Sequence, residues 1–446
     1  EIDDLPAFEP VTKFNATIDD IARAPDMLRQ AFRVATTGAP GPVHLQFRGN
    51  EGQIDLEEAG MDPLVEPQFA KVPPFRPQPE AQHVAAALAV LQNAERPIFV
   101  VGGGARASGA QAELVSLAEA LQIPVATSLN GKDLIAGTHP LSVGVVGSYS
   151  RESANRAVNR ADLVCFVGTE TGGMTTHFWA VPKIGTPAIQ IDIEPESIGR
   201  NYPLQASVLG DVKSVLAAML AKADRASAGK RKAWIEEIGE LRKEWYAKYD
   251  QMLHSEQVPI HPARICHELS RHVPDDAIVV VDTGHAGMWM GGMYDLRKPS
   301  QSYMRSAGHL GWAFPAGIGA KAACPDRPVV VFTGDAGLWY HIGELETQVR
   351  WNIPSITLVN NNGGGNQSKR GFDRVYGGET NNRSRELWTY KPMDFARIAE
   401  DIGALGIRVE KPNEIASALA KAIESKRPAV IDVATDIEAL APTAVS

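Results

Sequence analysis

Apolar positions along this chain follow two alternating periods, and the alternation itself predicts the architecture. Over residues 24–37 they recur at helical spacing, after which Gly38-Ala39-Pro40-Gly41-Pro42 turns the chain into the short apolar run Val43-His44-Leu45-Gln46-Phe47. That pattern predicts one helix–strand unit. From about residue 60 to 79 the periodicity disappears and prolines accumulate, including Pro73-Pro74 and Pro77-Gln78-Pro79, as expected of a linker. Helical spacing resumes over 81–91 and 110–121, interleaved with apolar runs at 97–101, 124–127, 163–168 and 188–193, the rhythm of a parallel sheet flanked by helices. A charged stretch over 229–249, carrying Trp234 and Trp245, reads as a surface helix leading to the next region, with its aromatics as packing anchors. Beyond residue 259 the alternation returns, with buried-strand candidates at 277–282, 328–332, 356–359 and 429–433. The predicted fold class is therefore α/β, multi-domain, with parallel sheets between helices.

Composition agrees with that picture and narrows the partners. A chain of 446 residues, 44% hydrophobic and 22% charged, is too long for one compact core and has no apolar run long enough for a membrane helix. A formal net charge of -9 without a basic tract argues against nucleic acid. A cytoplasmic location without membrane attachment is the expectation. Cys165, Cys266 and Cys324 are scattered and odd in number, so small-residue packing is expected of them rather than a disulfide framework or a metal site. The sequence opens Glu1-Ile2-Asp3-Asp4 without a targeting pattern, and is expected to start inside a domain.

Candidate chemistry gathers in the last region. The run Val329-Val330-Val331-Phe332-Thr333-Gly334-Asp335-Ala336-Gly337 is a buried strand ending in a glycine turn with a carboxylate at its C-terminal edge, where open α/β sheets bind ligands. A helical stretch over 341–350 and a second strand then lead to Asn360-Asn361-Asn362-Gly363-Gly364. If the two strands are neighbours, Asp335 and an Asn present hard oxygen ligands to one point, which suits Mg²⁺. The competing reading is an Asp capping a helix and an Asn-rich turn. Gly102-Gly103-Gly104 after the 97–101 strand likewise has two readings, an approach for a diphosphate or tight strand-to-helix packing.

The segment from Gly334 to Gly364 resembles the diphosphate-binding motif of the thiamine-diphosphate enzymes, with Ala336 where many members have Gly. Further stretches resemble the acetolactate synthase large-subunit group, in order along nearly the whole chain: Val43-His44-Leu45, Gly102-Gly103-Gly104, Asn130-Gly131-Lys132, Ile191-Asp192-Ile193, Gly199-Arg200-Asn201-Tyr202, Asp282-Thr283-Gly284-His285, Met288-Trp289 and Pro315-Ala316-Gly317-Ile318-Gly319-Ala320. The resemblance implies a thiamine-diphosphate-binding fold with an incomplete N-terminal domain. The implied layout is a remnant of a pyrimidine-binding domain (1–55), a linker (56–80), a central Rossmann-like domain (81–225), a linker helix (226–256) and a diphosphate-binding domain (257–446). It implies Mg²⁺ ligation by the Asp335 carboxylate, the Asn362 side-chain oxygen and the Gly364 carbonyl, with the Ala336 and Gly337 amides facing the diphosphate. Gly284, His285, Gly308 and Gly334 complete the implied cofactor set. Leu310, in Gly308-His309-Leu310-Gly311, takes the place of the bulky residue that holds the cofactor bent, with plain core packing as its alternative. His285 and His309 are candidates to reach the diphosphate or relay protons, or else hydrogen-bonding histidines at a domain edge. The family's glutamate against the pyrimidine ring belongs to a segment this sequence is expected to lack.

Two features loosen the match. Gly365-Asn366-Gln367-Ser368-Lys369-Arg370-Gly371-Phe372 lacks the Trp-containing stretch of the acceptor pocket in true acetolactate synthases. Glu344-Leu345-Glu346-Thr347, Arg350 and Asn352-Ile353-Pro354 are similar to the 2-hydroxyacyl-CoA lyase and oxalyl-CoA decarboxylase branch. Lys369 and Arg370 are either exposed charges or contacts for an anionic substrate group. The leading expectation is a thiamine-diphosphate- and Mg²⁺-dependent decarboxylase and carboligase of 2-oxoacids. The alternatives are a lyase of 2-hydroxyacyl-CoA thioesters and a non-catalytic relative with a structural or regulatory role. FAD, ADP or nothing is expected in the central domain, and a homodimer or homotetramer as the assembly.

Overall fold

The computed structural model describes residues 4–47, 64–306, 308–378 and 382–443. Strands β1 (Phe14–Ile18) and β2 (Val43–Phe47) pair in parallel, joined by the helix Ala24–Thr36 that the apolar spacing predicts. The proline-rich stretch is irregular from residue 64 to 80 apart from one 3₁₀ turn at Pro67–Ala70, and its first residues, like 48–55 of the predicted N-terminal remnant, lie outside the described residues.

Six parallel strands form the central sheet: β3 (Pro97–Val101), β4 (Val125–Thr127), β5 (Ser142–Val145), β6 (Leu163–Val167), β7 (Ala188–Asp192) and β8 (Leu204–Leu209). Their order, β5-β4-β3-β6-β7-β8, is the doubly wound arrangement of dinucleotide-binding folds. In β3 and β6 every residue is buried, because helices cover both faces, and this is why they read as unbroken apolar runs.

The helix Lys232–Leu253 joins the two large units through its apolar stripe. Trp234, Ile238 and Leu241 pack into the central core, and Trp245, Tyr249 and Leu253, further along the same face, pack into the C-terminal core. Both tryptophans are therefore packing anchors, as their place on a charged helix suggests.

The second six-stranded parallel sheet contains β9 (Ile278–Val281), β10 (Ser302–Arg305), β11 (Val329–Gly334), β12 (Ile356–Asn361), β13 (Leu405–Val409) and β14 (Ala429–Ala434). Its order is β10-β9-β11-β12-β14-β13. The chain leaves β9 for one edge to make β10, then returns to the other side of β9 to make β11. That reversal opens a crevice beyond the C-terminal ends of β9 and β11, the position where such sheets bind ligands.

Buried polar contacts lock the two units together beside that crevice. Lys132 Nζ donates to the Gly291 carbonyl at 3.0 Å and Arg151 Nε to the Gly292 carbonyl at 3.0 Å. Arg151 also pairs with Asp295 at 2.9 Å, and the Tyr246 hydroxyl donates to the other Asp295 oxygen at 2.7 Å. The helix Gly284–Met293, which begins at the crevice, is thus held by the central unit along its last turn. Among the described residues no helix is long and apolar enough to cross a membrane. Cys165 and Cys266 are free and buried, while Cys324 is only partly so.

Candidate functional site

β11 and β12 lie side by side in register, with Gly334 opposite Asn360, so Asp335 and Asn362 emerge from adjacent strand tips. One oxygen of Asp335 accepts the Ala336 amide at 2.7 Å. The other accepts the Gly364 amide at 3.1 Å, and that same N–H reaches the Asn362 side-chain oxygen at 3.0 Å. A carboxylate and an amide oxygen far apart in sequence therefore converge on one backbone donor. Asp335 is 4% exposed, and burial pushes its carboxyl up to about 6 against the pull of three backbone amides, with Asp432 adding to the rise. A divalent cation would relieve that penalty. Gly363, at φ +67°, makes the turn that returns Gly364 to the Asp335 tip.

At the neighbouring tip, Asp282 acts as a brace. Its carboxylate accepts the Thr283 amide at 2.8 Å, the Gly311 amide at 3.0 Å and the Thr333 hydroxyl at 2.9 Å, tying β9, β11 and the loop before residue 312 together. Burial raises its carboxyl above the usual range. Gly337 packs so closely on this brace that a Cβ there would lie 2.6 Å from Thr333 Oγ1 and 2.7 Å from Asp282 Oδ2. Sequence reading flagged the Asp282-Thr283-Gly284-His285 run but not this role; the available signal was a carboxylate at the end of a buried strand.

His285 follows at the start of the Gly284–Met293 helix, 8% exposed, with neither ring nitrogen hydrogen-bonded. Burial, reinforced by the nearby Arg370 guanidinium, holds the ring down to about 4, so it is neutral; Gln367 lies close enough to oppose this without making a properly formed bond. Unpartnered buried nitrogens are costly, which is an argument for a ligand at this point. Gly284, Gly308 and Gly334 each leave open space where a Cβ would stand. Open glycine positions next to a neutral imidazole and two oxygen-bearing tips are residues that fit a Mg²⁺-bound thiamine diphosphate.

Gly308, His309 and Leu310 form an exposed loop over the same crevice, and Leu310, 36% exposed, is not core. His309 shares no hydrogen bond with His285; its carbonyl accepts from Ser306 and Trp312. A cavity of about 270 Å³ lies alongside, lined from the C-terminal unit by Thr283, Arg305 and Gly308 and from the central unit by Ser128, Asn130, Tyr149 and Thr175 among others. Arg305 was not among the sequence candidates, because the short strand β10 that delivers it has no apolar run.

A larger cavity of about 540 Å³ lies at the reversal point of the central sheet, between β3 and β6. Glu170, Asp192, Glu194 and Asp211 line it without any Lys or Arg among the described lining residues. The Gly102 and Gly104 amides donate to the Val167 and Gly168 carbonyls. The triple glycine serves packing: a Cβ on Gly102 would lie 2.4 Å from the Gly168 oxygen.

Lys369 and Arg370 are not exposed charges. Lys369 is 7% exposed and pairs with Asp373 and Glu438, each at 3.0 Å. Arg370 donates to the Ala441 carbonyl and approaches Met288. Lys369 is consumed internally and holds the C-terminal segment rather than waiting for a substrate anion.

With this geometry in place, comparison with known proteins adds the following. Residues 84–219 match the thiamine pyrophosphate enzyme central domain, and residues 282–433 match the thiamine pyrophosphate enzyme C-terminal TPP binding domain. A probable acetolactate synthase large subunit from Methanocaldococcus jannaschii is 32% identical over 98% of this chain and 73% of its own length. A glyoxylate carboligase from Escherichia coli O157:H7 is 31% identical over 95% of the chain and 72% of its own length. A 2-hydroxyacyl-CoA lyase from Arabidopsis thaliana is 29% identical over 98% of the chain and 76% of its own length.

Proposed function

The chain belongs to the thiamine pyrophosphate enzyme family, on the acetolactate synthase-like side of it, and from that premise we propose that it decarboxylates a 2-oxoacid and joins the remaining acyl group to a second carbonyl compound. In this reading the Asp335 carboxylate, the Asn362 side-chain oxygen and the Gly364 carbonyl hold Mg²⁺, which prefers hard oxygen ligands and takes its remaining positions from phosphate and water. The amides of Ala336 and Gly337 and the neutral His285 ring face the diphosphate, with Gly284 and Gly334 leaving room for it. Leu310 would be the bulky side chain that holds the cofactor's bent shape. Bound thiamine diphosphate supplies the electron sink that makes cleavage beside a carbonyl feasible.

The protein's own residues do the positioning. Asp282 fixes the Gly311 amide and with it the loop carrying Leu310. His309, at the exposed edge of that loop, is the candidate to pass a proton between solvent and substrate oxygen. The homo-oligomeric assembly expected of the family is part of the same proposal.

The observation that carries this reading is the convergence of Asp335 and Asn362 on the single Gly364 N–H. Asp335→Ala is expected to abolish Mg²⁺-dependent thiamine diphosphate binding, measured by calorimetry, and CO₂ release from pyruvate and other 2-oxoacids. Undiminished cofactor affinity in that variant would refute the metal site. Formyl-CoA from a 2-hydroxyacyl-CoA, without CO₂ from any 2-oxoacid, would replace the reaction with the lyase alternative, and no turnover of either would favour the non-catalytic one.

A further inference from the structure

A backbone carbonyl can serve as a metal ligand only if its peptide plane is fixed, and Gly363-Gly364-Gly365 is the stretch of the site with the most backbone freedom. What fixes it is Trp388-Thr389-Tyr390. The Tyr390 N–H donates to the Gly363 carbonyl at 2.7 Å, the Gly365 N–H donates to the Trp388 carbonyl at 2.6 Å, and Gly364 faces Thr389 in an antiparallel bridge. The C=O and N–H of a trans peptide point in opposite directions. Because the Gly365 N–H is turned toward Trp388, the Gly364 carbonyl in the same peptide unit points away from it. The Gly364 N–H points away likewise, and reaches the oxygens of Asp335 and Asn362 at 3.1 and 3.0 Å. Both polar groups of Gly364 therefore face the two side-chain oxygens, as in a non-hydrogen-bonded residue of an antiparallel pair. Among the described residues no group donates to that carbonyl.

The pairing stretch is itself anchored on both sides. Trp388 is 3% exposed, and its ring lies 5.6 Å from Lys369 Nζ, which is paired with Asp373 and Glu438. Beyond Tyr390, the Met393 carbonyl accepts from Asn361 Nδ2 at 2.9 Å, and the same nitrogen donates to Asp432 at 2.9 Å. The fit against the turn is close: a Cβ on Gly364 would lie 2.9 Å from the Trp388 carbonyl oxygen and 2.8 Å from Ile437 Cδ1. We propose that Trp388-Thr389-Tyr390 is a positioning strap, which holds the Gly364 carbonyl toward the Asp335 and Asn362 oxygens and so completes the protein's share of the metal's ligands. This rests on the Mg²⁺ site of the proposed function. The strap touches neither metal nor substrate and acts through Gly364 alone. Once it is loosened, Asp335 and Asn362 still reach the ion, but the carbonyl turns away and water takes its place.

Mn²⁺, which takes the same oxygen ligands as Mg²⁺ and is paramagnetic, is the probe. It is titrated into the protein at saturating thiamine diphosphate. Electron paramagnetic resonance reads the free ion, and water-proton relaxation reads the water carried by the bound one. Tyr390→Pro removes the N–H that the Gly363 carbonyl accepts, at a position whose side chain is 40% exposed, and Tyr390→Phe keeps that N–H. Mn²⁺ affinity should fall at least tenfold in Tyr390→Pro and the relaxation rate per bound ion should rise, while Tyr390→Phe stays within twofold of wild type in both. Trp388→Ala should behave like Tyr390→Pro. Trp388→Phe, which keeps a ring beside Lys369 and loses only an indole N–H that has no partner, should behave like wild type. If Trp388→Ala does not fold, the Tyr390 pair decides. Unchanged Mn²⁺ affinity in Tyr390→Pro, or weaker binding at an unchanged relaxation rate per bound ion, would overturn the strap's role and leave the metal site standing. No Mn²⁺ binding to the wild-type protein would refute the metal site itself, and the strap's role with it.

Discussion

Replacing Lys132 by Met should stabilise the protein at pH 6, and the gain should shrink as the pH rises. Lys132 is 7% exposed, with a single hydrogen bond, to the Gly291 carbonyl, and the Tyr303 ring 5.8 Å away. Burial is the main reason its ammonium is pushed down from 10.5 to about 7; Arg151 adds to this, while Asp295 and Cys266 oppose it. Below pH 7 the lysine is charged in both folded and unfolded chains, so the full burial penalty is present. Between pH 7 and 10.5 the unfolded chain keeps a proton that the folded one has released, so wild-type stability rises with pH there. At about 1.4 kcal/mol per unit, the penalty at pH 6 is on the order of 5 kcal/mol, and about 3 kcal/mol of it is relieved by pH 9. Met fills the stem's volume, and Asp295 keeps Arg151 and Tyr246, so no charge is orphaned; the lost bond to Gly291 costs about 1 kcal/mol. Urea unfolding of both proteins at pH 6 and pH 9, followed by tryptophan fluorescence, measures the difference. Trp245, whose ring lies 4.0 Å from the Arg151 guanidinium carbon, reports on this junction. A variant less stable than wild type at pH 6, or a difference that does not change with pH, would show that Asp295 stabilises the buried ammonium more than burial penalises it.

Three substitutions and one control probe other parts of the same frame. Gly102→Ala sets a methyl 2.4 Å from the Gly168 oxygen and 2.5 Å from Thr169 Cβ, so it should lower stability by about 3 kcal/mol in thermal unfolding, whereas Gly229→Ala, with nothing within 4 Å, should change little. Arg231→Met removes donors to the Leu91, Ala94 and Leu121 carbonyls, at the ends of the helices Ala81–Asn93 and Gln111–Leu121; a loss of about 3 kcal/mol in denaturant unfolding is expected. Gly337→Ala pushes on the Asp282 brace and should weaken thiamine diphosphate binding in calorimetry at least tenfold while circular dichroism stays that of wild type.

What was legible in the sequence is what short-range pattern encodes. Strands β3, β6, β7, β9, β11, β12 and β14 are covered on both faces and stood out as apolar runs, and the helix Ala24–Thr36 ended within a residue of its predicted bound. Strands β1, β5, β8, β10 and β13 were not predicted. Their burial is partial or their runs are short and polar, and neighbours rather than composition hold them. The meeting of Asp335 with Asn362 was legible because each carries its own strand-end signal. The triple glycine was ambiguous because the same residues serve a phosphate or a close packing contact, and only the Gly168 carbonyl decides between them.

The residues that escaped sequence reading share one property: their meaning depends on a part of the chain far away in sequence. Lys369 looked like a surface charge until Glu438, from the far end of the chain, closed over it. Arg305 had no visible role because what distinguishes it is the lack of a carboxylate among the described lining residues of a chamber built mostly from the central unit, and that is not a local pattern. Lys132 and Arg151 lie in the central unit yet bond to the carbonyls and carboxylate at the end of the helix that starts with His285. That helix connects the crevice to the clamp between the two units. Its first turn offers two unbonded imidazole nitrogens to the crevice, and its last turn is clamped by buried cations of the other unit, one of them held in place at a cost in stability. A purely structural clamp would be replaceable by apolar packing at no loss. A clamp that sets where His285 points should show Lys132→Met gaining stability at pH 6 while losing thiamine diphosphate affinity, and a variant that gained the first without losing the second would break that connection.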